Sequence, residues 1–199
     1  MSRPLKPGPS TGVPTSGPRN GNPDIAVFAK ALGNGYPMAA VIGRAEVMNM
    51  AQKTFISSTY WTDRVGPSAA LATLKKHRKC KVGDHLMKMG TLVQDGWKKL
   101  GERHRIDIDV SGIPPLSHWQ IKSPEEKIAH TLITKLMLEK GFLSSKAFYA
   151  TYCHNEDNVK KYLNALDAVL VKVAAHIRNG TIKKMYDGPI SHDGFRRLT

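Results

Sequence analysis

The sequence predicts an α/β fold followed by a small α+β domain, and three observations carry this prediction. Two short apolar runs flank a glycine-containing turn between residues 24 and 43, and a helical pattern follows them. From Val82 onwards, apolar residues recur at spacings of three and four, which is typical of a long amphipathic helix. Beyond that helix, an alternating strand pattern and two more helical patterns close the chain.

The region before residue 80 predicts short strands and one helix. Residues 24–30 have the length and apolar character of a buried, parallel strand. Residues 38–43 and 54–59 predict two further short strands, and residues 44–53 between them predict a helical turn or two. Pro67 then opens a helix that ends in a cluster of cations, which stabilise the negative end of a helix dipole.

The region from Val82 predicts a helix of about six turns and then a pair of strands. The apolar face of the helix consists of Leu86, Met89, Val93, Trp97 and Leu100. Residues 105–112 alternate isoleucine and valine with charged neighbours, which predicts a half-exposed strand. Residues 116–122, after two prolines, predict its antiparallel partner.

A capping box predicts the start of the next helix. Ser123 and Glu126 have the spacing of such a box, and Pro124 occupies the first helical position. Gly141 ends the helix, since glycine readily adopts the left-handed conformation found after helices. The apolar face of this helix is formed by Ile128, Leu132, Leu136 and Met137.

A strand-like stretch and a long helix close the chain. Residues 141–152 contain the strand pattern, and Asn155 begins the helix, which ends at Asn179–Gly180. The apolar face of the helix is formed by Val159, Leu163, Leu166, Val169, Leu170 and Val173. These elements predict a small α+β unit at the end of the chain.

The composition is that of a folded protein that attracts anions. Of the 199 residues, 41% are hydrophobic and 23% are charged, and 30 Lys and Arg against 16 Asp and Glu give a net charge of +14. This surplus favours phosphates, carboxylates and other anions as partners. The two cysteines have no metal-ligand spacing, so we expect a cytoplasmic protein without a metal site. No signal peptide or membrane-spanning run is recognisable, and we expect no membrane partner.

Lys30 lies at the point where an apolar run meets a glycine turn. A lysine beside a turn is most often simply solvated, and this remains one interpretation. Gly33 and Gly35, however, remove side chains from the turn, so the backbone can pass close beneath a planar group. The ends of parallel strands are also where α/β proteins hold ligands. A lysine in an apolar, cation-rich setting attacks carbonyl carbons to form a Schiff base, which makes Lys30 a candidate nucleophile.

The segment "NPDIAVFAKALGNGYPMAAVIG", residues 22–43, resembles the Schiff-base lysine segment of the class III, fold type I, pyridoxal-phosphate aminotransferases. The matching residues are Pro23, Asp24, Lys30, Gly33, Gly35 and Pro37. The segment "TFISSTYWTDRVGPSAALATL" is similar to the one that follows in the family, where a threonine and an aromatic residue precede a helix of small residues. From "LSHWQI" onwards, the chain resembles the glutamate-1-semialdehyde aminomutase-like branch.

The resemblance, which covers residues 22–199, implies the cofactor pyridoxal 5'-phosphate and amino-group transfer from a small-molecule amino donor to a carbonyl acceptor. Lys30 would be the catalytic residue and would also bind the cofactor covalently. Thr59 would bind the cofactor phosphate, with Thr62 as the alternative, and an ordinary role as loop hydroxyls is the third interpretation. In the family this contact crosses a dimer interface. The resemblance therefore implies a homodimer, or a partner that carries the missing half of the enzyme.

The resemblance also divides the chain into four parts. Residues 1–23, rich in Pro, Gly and Ser, are expected to be a disordered tail. Residues 24–80 correspond to the C-terminal part of a fold type I PLP-dependent transferase large domain. Residues 81–104 correspond to a connecting helix, and residues 105–199 to a small C-terminal α+β domain.

The Asp-Glu pair of the family, whose aspartate keeps the pyridine ring protonated, has no counterpart here, because Thr11 and Gly12 stand at that point. An unprotonated pyridine accepts electrons poorly, so we expect impaired amino-group transfer. The alternative is a non-catalytic basic remnant that acts by dimerisation or by binding anions. The eight histidines form no metal-ligand pattern, and the basic clusters accompany no nucleic-acid-binding module. Neither a metal nor a nucleic acid is expected as a partner.

Overall fold

The computed structural model describes residues 23–191, which form two compact units that separate between Val82 and Gly83. We call residues 23–82 the N-terminal unit and residues 83–191 the C-terminal unit. The disordered tail expected at the start of the chain lies, up to residue 22, outside the described residues, and so does the chain from residue 192 onwards. The domain boundaries expected at residues 80 and 104 stay predictions.

The N-terminal unit begins with a two-stranded antiparallel sheet. Strand β1 (Ile25–Phe28) pairs with strand β2 (Ala40–Gly43), with Phe28 opposite Ala40. The turn between the strands reverses the chain and brings β2 back alongside β1, which gives the antiparallel direction. The prediction of a buried, parallel strand at residues 24–30 is therefore wrong, and Val27 in the middle of β1 is 59% exposed.

Helical turns follow the sheet, as predicted for residues 44–53. Helix α1 (Ala45–Met48) is a single turn, and a 3-10 turn (Asn49–Lys53) continues it. Helix α2 (Val65–Lys79) contains Pro67 in its first turn. Backbone N–H groups in the first turn have no acceptor within the helix, so the N–H that proline lacks costs no hydrogen bond there.

Residues 54–59 form no strand, so the third strand predicted in the N-terminal unit is wrong. Phe55 in this segment is 96% exposed. A strand needs a neighbour to receive its backbone hydrogen bonds, and the only strands described in this unit, β1 and β2, pair with each other. The apolar and β-branched composition of the segment is therefore insufficient to make a strand here.

The C-terminal unit combines three helices with a three-stranded antiparallel sheet of order β3-β4-β5. The elements are α3 (Val82–His104), β3 (Ile108–Ile113), β4 (Leu116–Ile121), α4 (Glu126–Glu139), β5 (Ala147–Tyr149) and α5 (Glu156–Arg178). The predicted long helix and the predicted antiparallel strand pair are confirmed. Among the described residues, no helix has both the length and the apolar character needed to cross a membrane.

The core of the C-terminal unit lies between strand β4 and the helices. Trp119 and Ile121 of β4 are buried, whereas His118 and Gln120 are exposed, so burial alternates along the strand. Trp119 stacks on Trp97 of α3 with ring centroids 5.7 Å apart. The predicted helix faces supply most of the remaining core, with Met89, Val93, Met137, Leu166, Val169, Leu170 and Val173 at most 2% exposed.

Helix α4 begins without the predicted capping box, and that prediction is wrong. Ser123 Oγ accepts a hydrogen bond from the Glu125 N–H at 3.2 Å, and the helix starts only at Glu126. The Glu126 carboxylate accepts a hydrogen bond from Lys146 Nζ at 2.6 Å, because a charged amine is a stronger donor than a backbone N–H. Gly141, with a φ of 83°, ends the helix region as predicted.

Helix α5 begins with a capping box, and its predicted start at Asn155 is confirmed. The side chain of Asn155 accepts a hydrogen bond from the Asn158 N–H at 2.8 Å, and the side chain of Asn158 accepts one from the Asn155 N–H at 3.2 Å. Two backbone N–H groups that helix geometry leaves without partners are thus satisfied. The helix ends before Asn179–Gly180, as predicted.

Candidate functional site

Lys30 follows strand β1 at the beginning of a tight turn. It opens a 3-10 turn that ends at Leu32, and its backbone has a φ of 52°, in the left-handed region that residues other than glycine seldom occupy. Holding a residue with a Cβ in that region costs about 1–2 kcal/mol. Backbone strain of this kind is concentrated at functional sites. Asn34, Lys81 and Arg105 have similar φ values, so the conformation of Lys30 fits a functional role without singling this residue out.

The glycines after Lys30 shape the turn. The Tyr36 N–H donates a hydrogen bond to the Gly33 carbonyl at 3.2 Å, and a Cβ at Gly33 would overlap the Tyr36 carbonyl oxygen. Gly35 has a φ of 104°, which side chains rarely tolerate, and open space lies where its Cβ would stand. The turn is thus tightly packed at Gly33 and open at Gly35.

The N-terminus of α2 packs against the same turn. Gly66 is buried, and a Cβ there would lie 2.6 Å from the Pro37 carbonyl oxygen. The Asp63 carboxylate accepts a hydrogen bond from the N–H of Val65, the first residue of the helix, at 2.8 Å. An aspartate just before a helical pattern is a recognisable start signal, and Asp63 has that position in the sequence. Helix α2 and the lysine turn form one local framework.

Thr59 and Thr62 lie in the irregular segment that leads into α2. Both side chains are exposed, and neither hydroxyl has a hydrogen-bond partner within residues 23–191. The Lys30 side chain is exposed as well and has no ion-pair partner in that range. No hydrogen bond joins Lys30 to Thr59. The structure leaves all three groups available without bringing them into contact.

These groups fit a phosphorylated carbonyl compound. An exposed primary amine is the nucleophile that a carbonyl carbon requires, and free hydroxyl groups donate hydrogen bonds to phosphate oxygens. A pyridine nitrogen in such a ligand, in contrast, stays protonated only beside a carboxylate. Asp24 is the only carboxylate between residue 23 and Lys30, and its Oδ1 pairs with Arg44 at 3.4 Å. The described residues fit the carbonyl and phosphate ends of the ligand better than its ring nitrogen.

The sheet next to Lys30 exposes apolar side chains. Val27, Val41 and Ile42 are 59%, 51% and 57% exposed within the described part of the chain. Apolar strands with this exposure are typical of surfaces that another protein segment covers. Water also reaches Lys30 in this arrangement, and water weakens the electrostatic effects that a reactive site uses.

A separate charged cluster joins α3 to α5 in the C-terminal unit. His104 Nε2 and Arg103 Nη1 each lie 2.6 Å from an oxygen of the Asp167 carboxylate. The hydrogen bond from His104 is the main cause that lowers the pKa of Asp167, and the charge of Arg103 adds to it. Because these groups satisfy one another, they tie two helices together. Over residues 23–191, no group of His, Cys, Asp or Glu side chains could hold a metal ion.

Known proteins resemble this chain along most of its length. The family model described as aminotransferase class-III matches residues 16–170, a range that contains Lys30 and Thr59. The 3-aminobutyryl-CoA aminotransferase of Cloacimonas acidaminovorans is 26% identical over 157 residues, which covers 76% of this chain and 38% of the relative. The glutamate-1-semialdehyde 2,1-aminomutase of Nitrosopumilus maritimus is 25% identical over 170 residues, which covers 76% of this chain and 40% of the relative.

A solved structure has the same fold. The PLP internal aldimine form of the FumI protein from Sphingopyxis sp. MTA144 superposes with a TM-score of 0.71 at 21% identity, over 78% of this chain and 38% of that one. At this identity the likeness concerns the fold alone. The chain spans about two fifths of the length of the proteins it matches.

Proposed function

We propose, since this chain belongs to the class III aminotransferase family, that it carries the lysine part of a pyridoxal-phosphate site, with Lys30 as the Schiff-base residue. The predicted α/β architecture of the fold type I transferases is confirmed by the likeness to the FumI structure. The position of Lys30 carries the proposal. Its amine is exposed and unpaired among the described residues, at a strained backbone position between β1 and a glycine turn.

Lys30 would have two tasks at such a site. Pyridoxal 5'-phosphate, the cofactor of the family, supplies a ring that accepts electrons from the carbon of an amino substrate. The Lys30 amine would bind the cofactor through its carbonyl carbon and would then move a proton at the substrate's α-carbon as a general base. Gly35 in the same turn has open space where a Cβ would stand, which leaves the backbone there accessible.

Thr59 would donate its hydroxyl to the cofactor phosphate. Its side chain is exposed and has no partner among the described residues, and the same holds for the alternative, Thr62. Since no hydrogen bond joins Lys30 to Thr59, the proposal places Thr59 at the site of a second subunit. The acting form would be a homodimer, or a complex with a polypeptide that covers the exposed apolar strands β1 and β2.

The reaction proposed is amino-group transfer from a small-molecule amino donor to a carbonyl acceptor. Within the family we place the chain near the glutamate-1-semialdehyde aminomutase-like branch. The sequence resemblance from residue 116 onwards supports this placement, and the aminomutase of Nitrosopumilus maritimus is among the relatives, at 25% identity.

We further propose that the described residues transfer amino groups only feebly by themselves. Asp24 is engaged with Arg44, so no free carboxylate precedes Lys30 in the described chain to protonate a ring nitrogen. The exposure of β1 and β2 leaves the lysine accessible to water. A partner that supplies a carboxylate and covers the sheet would relieve both deficits.

The alternative function is that of a non-catalytic basic protein. The net charge of +14 favours it, because such a surplus attracts anions without any built site. The two functions differ in one measurable property. A pyridoxal-phosphate site labels one lysine, whereas general attraction of phosphates labels many.

The test is reductive trapping of the cofactor on the full chain. The protein is mixed with pyridoxal 5'-phosphate, reduced with borohydride, digested, and analysed by mass spectrometry to locate each modified lysine. We expect one modification per chain, at Lys30. Lys30→Arg keeps the charge but removes the nucleophilic amine, so it should abolish the label, whereas Lys53→Arg changes another exposed lysine of the same unit and should leave the label in place.

Two outcomes would reject Lys30 as the Schiff-base residue: no stable modification, or modification spread evenly over many lysines. The second outcome would favour the non-catalytic alternative. A transaminase assay of the unmodified chain complements the trapping, and we expect at most feeble turnover.

A further inference from the structure

A cavity of about 160 Å³ opens in the C-terminal unit beside the start of α5. Aromatic rings form much of its wall. Phe142 and Tyr162 meet edge to face with centroids 6.0 Å apart, and Phe148 lies 5.0 Å from the ring of His154. An apolar cavity of about 150 Å³ is large enough to bind benzene. The cavity therefore has the size and the lining for one aromatic ring.

His154 offers a hydrogen-bond donor to this cavity. The Thr151 backbone N–H donates to His154 Nδ1 at 3.0 Å, so Nδ1 is an acceptor and the neutral ring carries its proton on Nε2. Burial, and then the nearby His85, lower the pKa of His154, which keeps the ring neutral at pH 7. No hydrogen bond within the described residues uses Nε2. This N–H is free to donate to a ligand.

Asn158 and Tyr162 are two further polar side chains in the lining of the cavity. Asn158 Oδ1 accepts the Asn155 N–H at 3.2 Å, so the open part of its side-chain amide is the NH₂ donor. The Tyr162 hydroxyl accepts a hydrogen bond from Trp97 Nε1 at 2.9 Å and is also hydrogen-bonded to the Ser144 side chain, so it belongs to the wall of the cavity and not to its open donors. Because the acceptor atoms of His154 and Asn158 already have partners, the open polar groups of these two side chains are donors.

Negative charge is absent from the lining of the cavity. None of the residues that line it is Asp or Glu. The two acids in the first turn of α5 are neutralised elsewhere, since Glu156 pairs with Lys88 at 2.5 Å and Asp157 pairs with Lys161 at 2.7 Å. The net charge of +14 also raises the local concentration of small anions. An anionic acceptor group is thus the complement of the open donors.

We propose that this cavity binds a small aromatic carboxylate. The ring lies between Phe142, Phe148 and Tyr162, and the carboxylate accepts hydrogen bonds from His154 Nε2–H and from the side-chain amide of Asn158. The site is formed entirely within the C-terminal unit. Its occupancy is therefore independent of the cofactor and of Lys30.

The experiment is a calorimetric titration of the full chain with sodium benzoate, and with benzyl alcohol as a neutral ligand of the same ring size. Asn158→Asp keeps the oxygen that caps the Asn155 N–H but replaces the NH₂ donor with a negative charge. We expect saturable binding of one benzoate per chain, weakened at least tenfold by Asn158→Asp. Benzyl alcohol needs no anion contact, so the same substitution should change its affinity less than threefold.

Asn155→Asp is the matched control, because it adds the same charge one helical turn away and keeps a side-chain oxygen for the cap. It should leave benzoate binding within about twofold. Ala147→Leu fills the cavity and should weaken both ligands, and thermal unfolding of each variant verifies that it folds. Three results would overturn the proposal: no saturable benzoate binding, equal benzoate affinity in Asn158→Asp and the unmodified chain, or equal losses in Asn155→Asp and Asn158→Asp.

Discussion

Acidification should weaken the C-terminal unit through His130 of helix α4. This side chain is 4% exposed, and its Nε2 accepts a hydrogen bond from the Ile121 N–H at 3.2 Å. Its ring meets Trp119 edge to face at 4.7 Å between centroids. Burial first, and the charge of Lys146 second, lower the pKa of His130 from 6.5 to about 4, against a small opposing effect of Glu126. Protonation would remove the acceptor of the Ile121 N–H and place a charge in the core.

The sign and size of the effect follow from linkage. In the unfolded chain His130 has its ordinary pKa of 6.5, so the unfolded state binds a proton between pH 6.5 and about 4 while the folded state does not. Above pH 6.5, His130 therefore has almost no effect on the free energy of unfolding. As the pH falls from 6.5 towards 4, this free energy decreases progressively. A change from pH 7 to pH 5 should lower the free energy of unfolding by about 2 kcal/mol through this residue alone.

The assay is urea unfolding, followed by the fluorescence of the buried Trp97 and Trp119, at pH 7 and at pH 5. His130→Gln keeps a side-chain oxygen that can accept the Ile121 N–H but cannot titrate. Between the two pH values, the variant should lose about 2 kcal/mol less stability than the unmodified chain. The other seven histidines are present in both proteins. An equal loss in both proteins would refute the role assigned to His130.

Two further predictions concern contacts between elements of the C-terminal unit. Gly90→Ala would place a Cβ on the Pro114 carbonyl oxygen and should lower the urea midpoint, at a cost of about 1–3 kcal/mol. In Gly96→Ala, in the same helix, the new Cβ meets the side chain of Leu163, which can move, so this substitution should lower the urea midpoint less. Equal midpoints for the two variants would contradict the steric explanation. Asp167→Asn should lower the thermal midpoint at pH 7, where the carboxylate is ionised. Because the pKa of Asp167 is lowered in the fold, its advantage over asparagine should disappear as the pH falls below 3.8, and a constant difference would contradict the ion pair.

Local signals in the sequence were sufficient for the helices of the C-terminal unit. The face of α5 repeats at the helical period, and Asn155 supplies its cap from within three residues. The start of α4 was less predictable, because Glu126 binds Lys146, which is 20 residues away. A capping box read from sequence assumes that no distant charge competes for its carboxylate.

For the strands of the N-terminal unit, in contrast, local sequence signals were not sufficient. An apolar run of four residues is equally compatible with a buried parallel strand and with an exposed antiparallel one. The pattern of apolar residues does not show the direction of the neighbouring strand or which other segment packs on it. Residues 54–59 have strand composition, but no described strand pairs with them.

The candidate site was found from the spacing around Lys30 and the family resemblance. Its backbone conformation could not be predicted, since a φ of 52° is uncommon for lysine and depends on the turn that follows. The cavity beside α5 was also unpredictable, because its polarity depends on the tautomer that Thr151 imposes on His154. Such features arise only when segments meet in three dimensions.

The exposed sheet of β1 and β2 has a consequence for how the chain behaves at high concentration. Within residues 23–191 this sheet has only two strands, so both of its edges are unpaired there, and its valine and isoleucine side chains are exposed; such a sheet is a template onto which strands of other molecules add. The mutual repulsion of chains with a charge of +14 opposes that growth at long range. Added salt shortens the reach of this repulsion to about 10 Å at 0.1 M, without weakening the apolar contacts. We therefore expect the chain to associate more readily as the ionic strength rises, through the same sheet whose two strands flank Lys30.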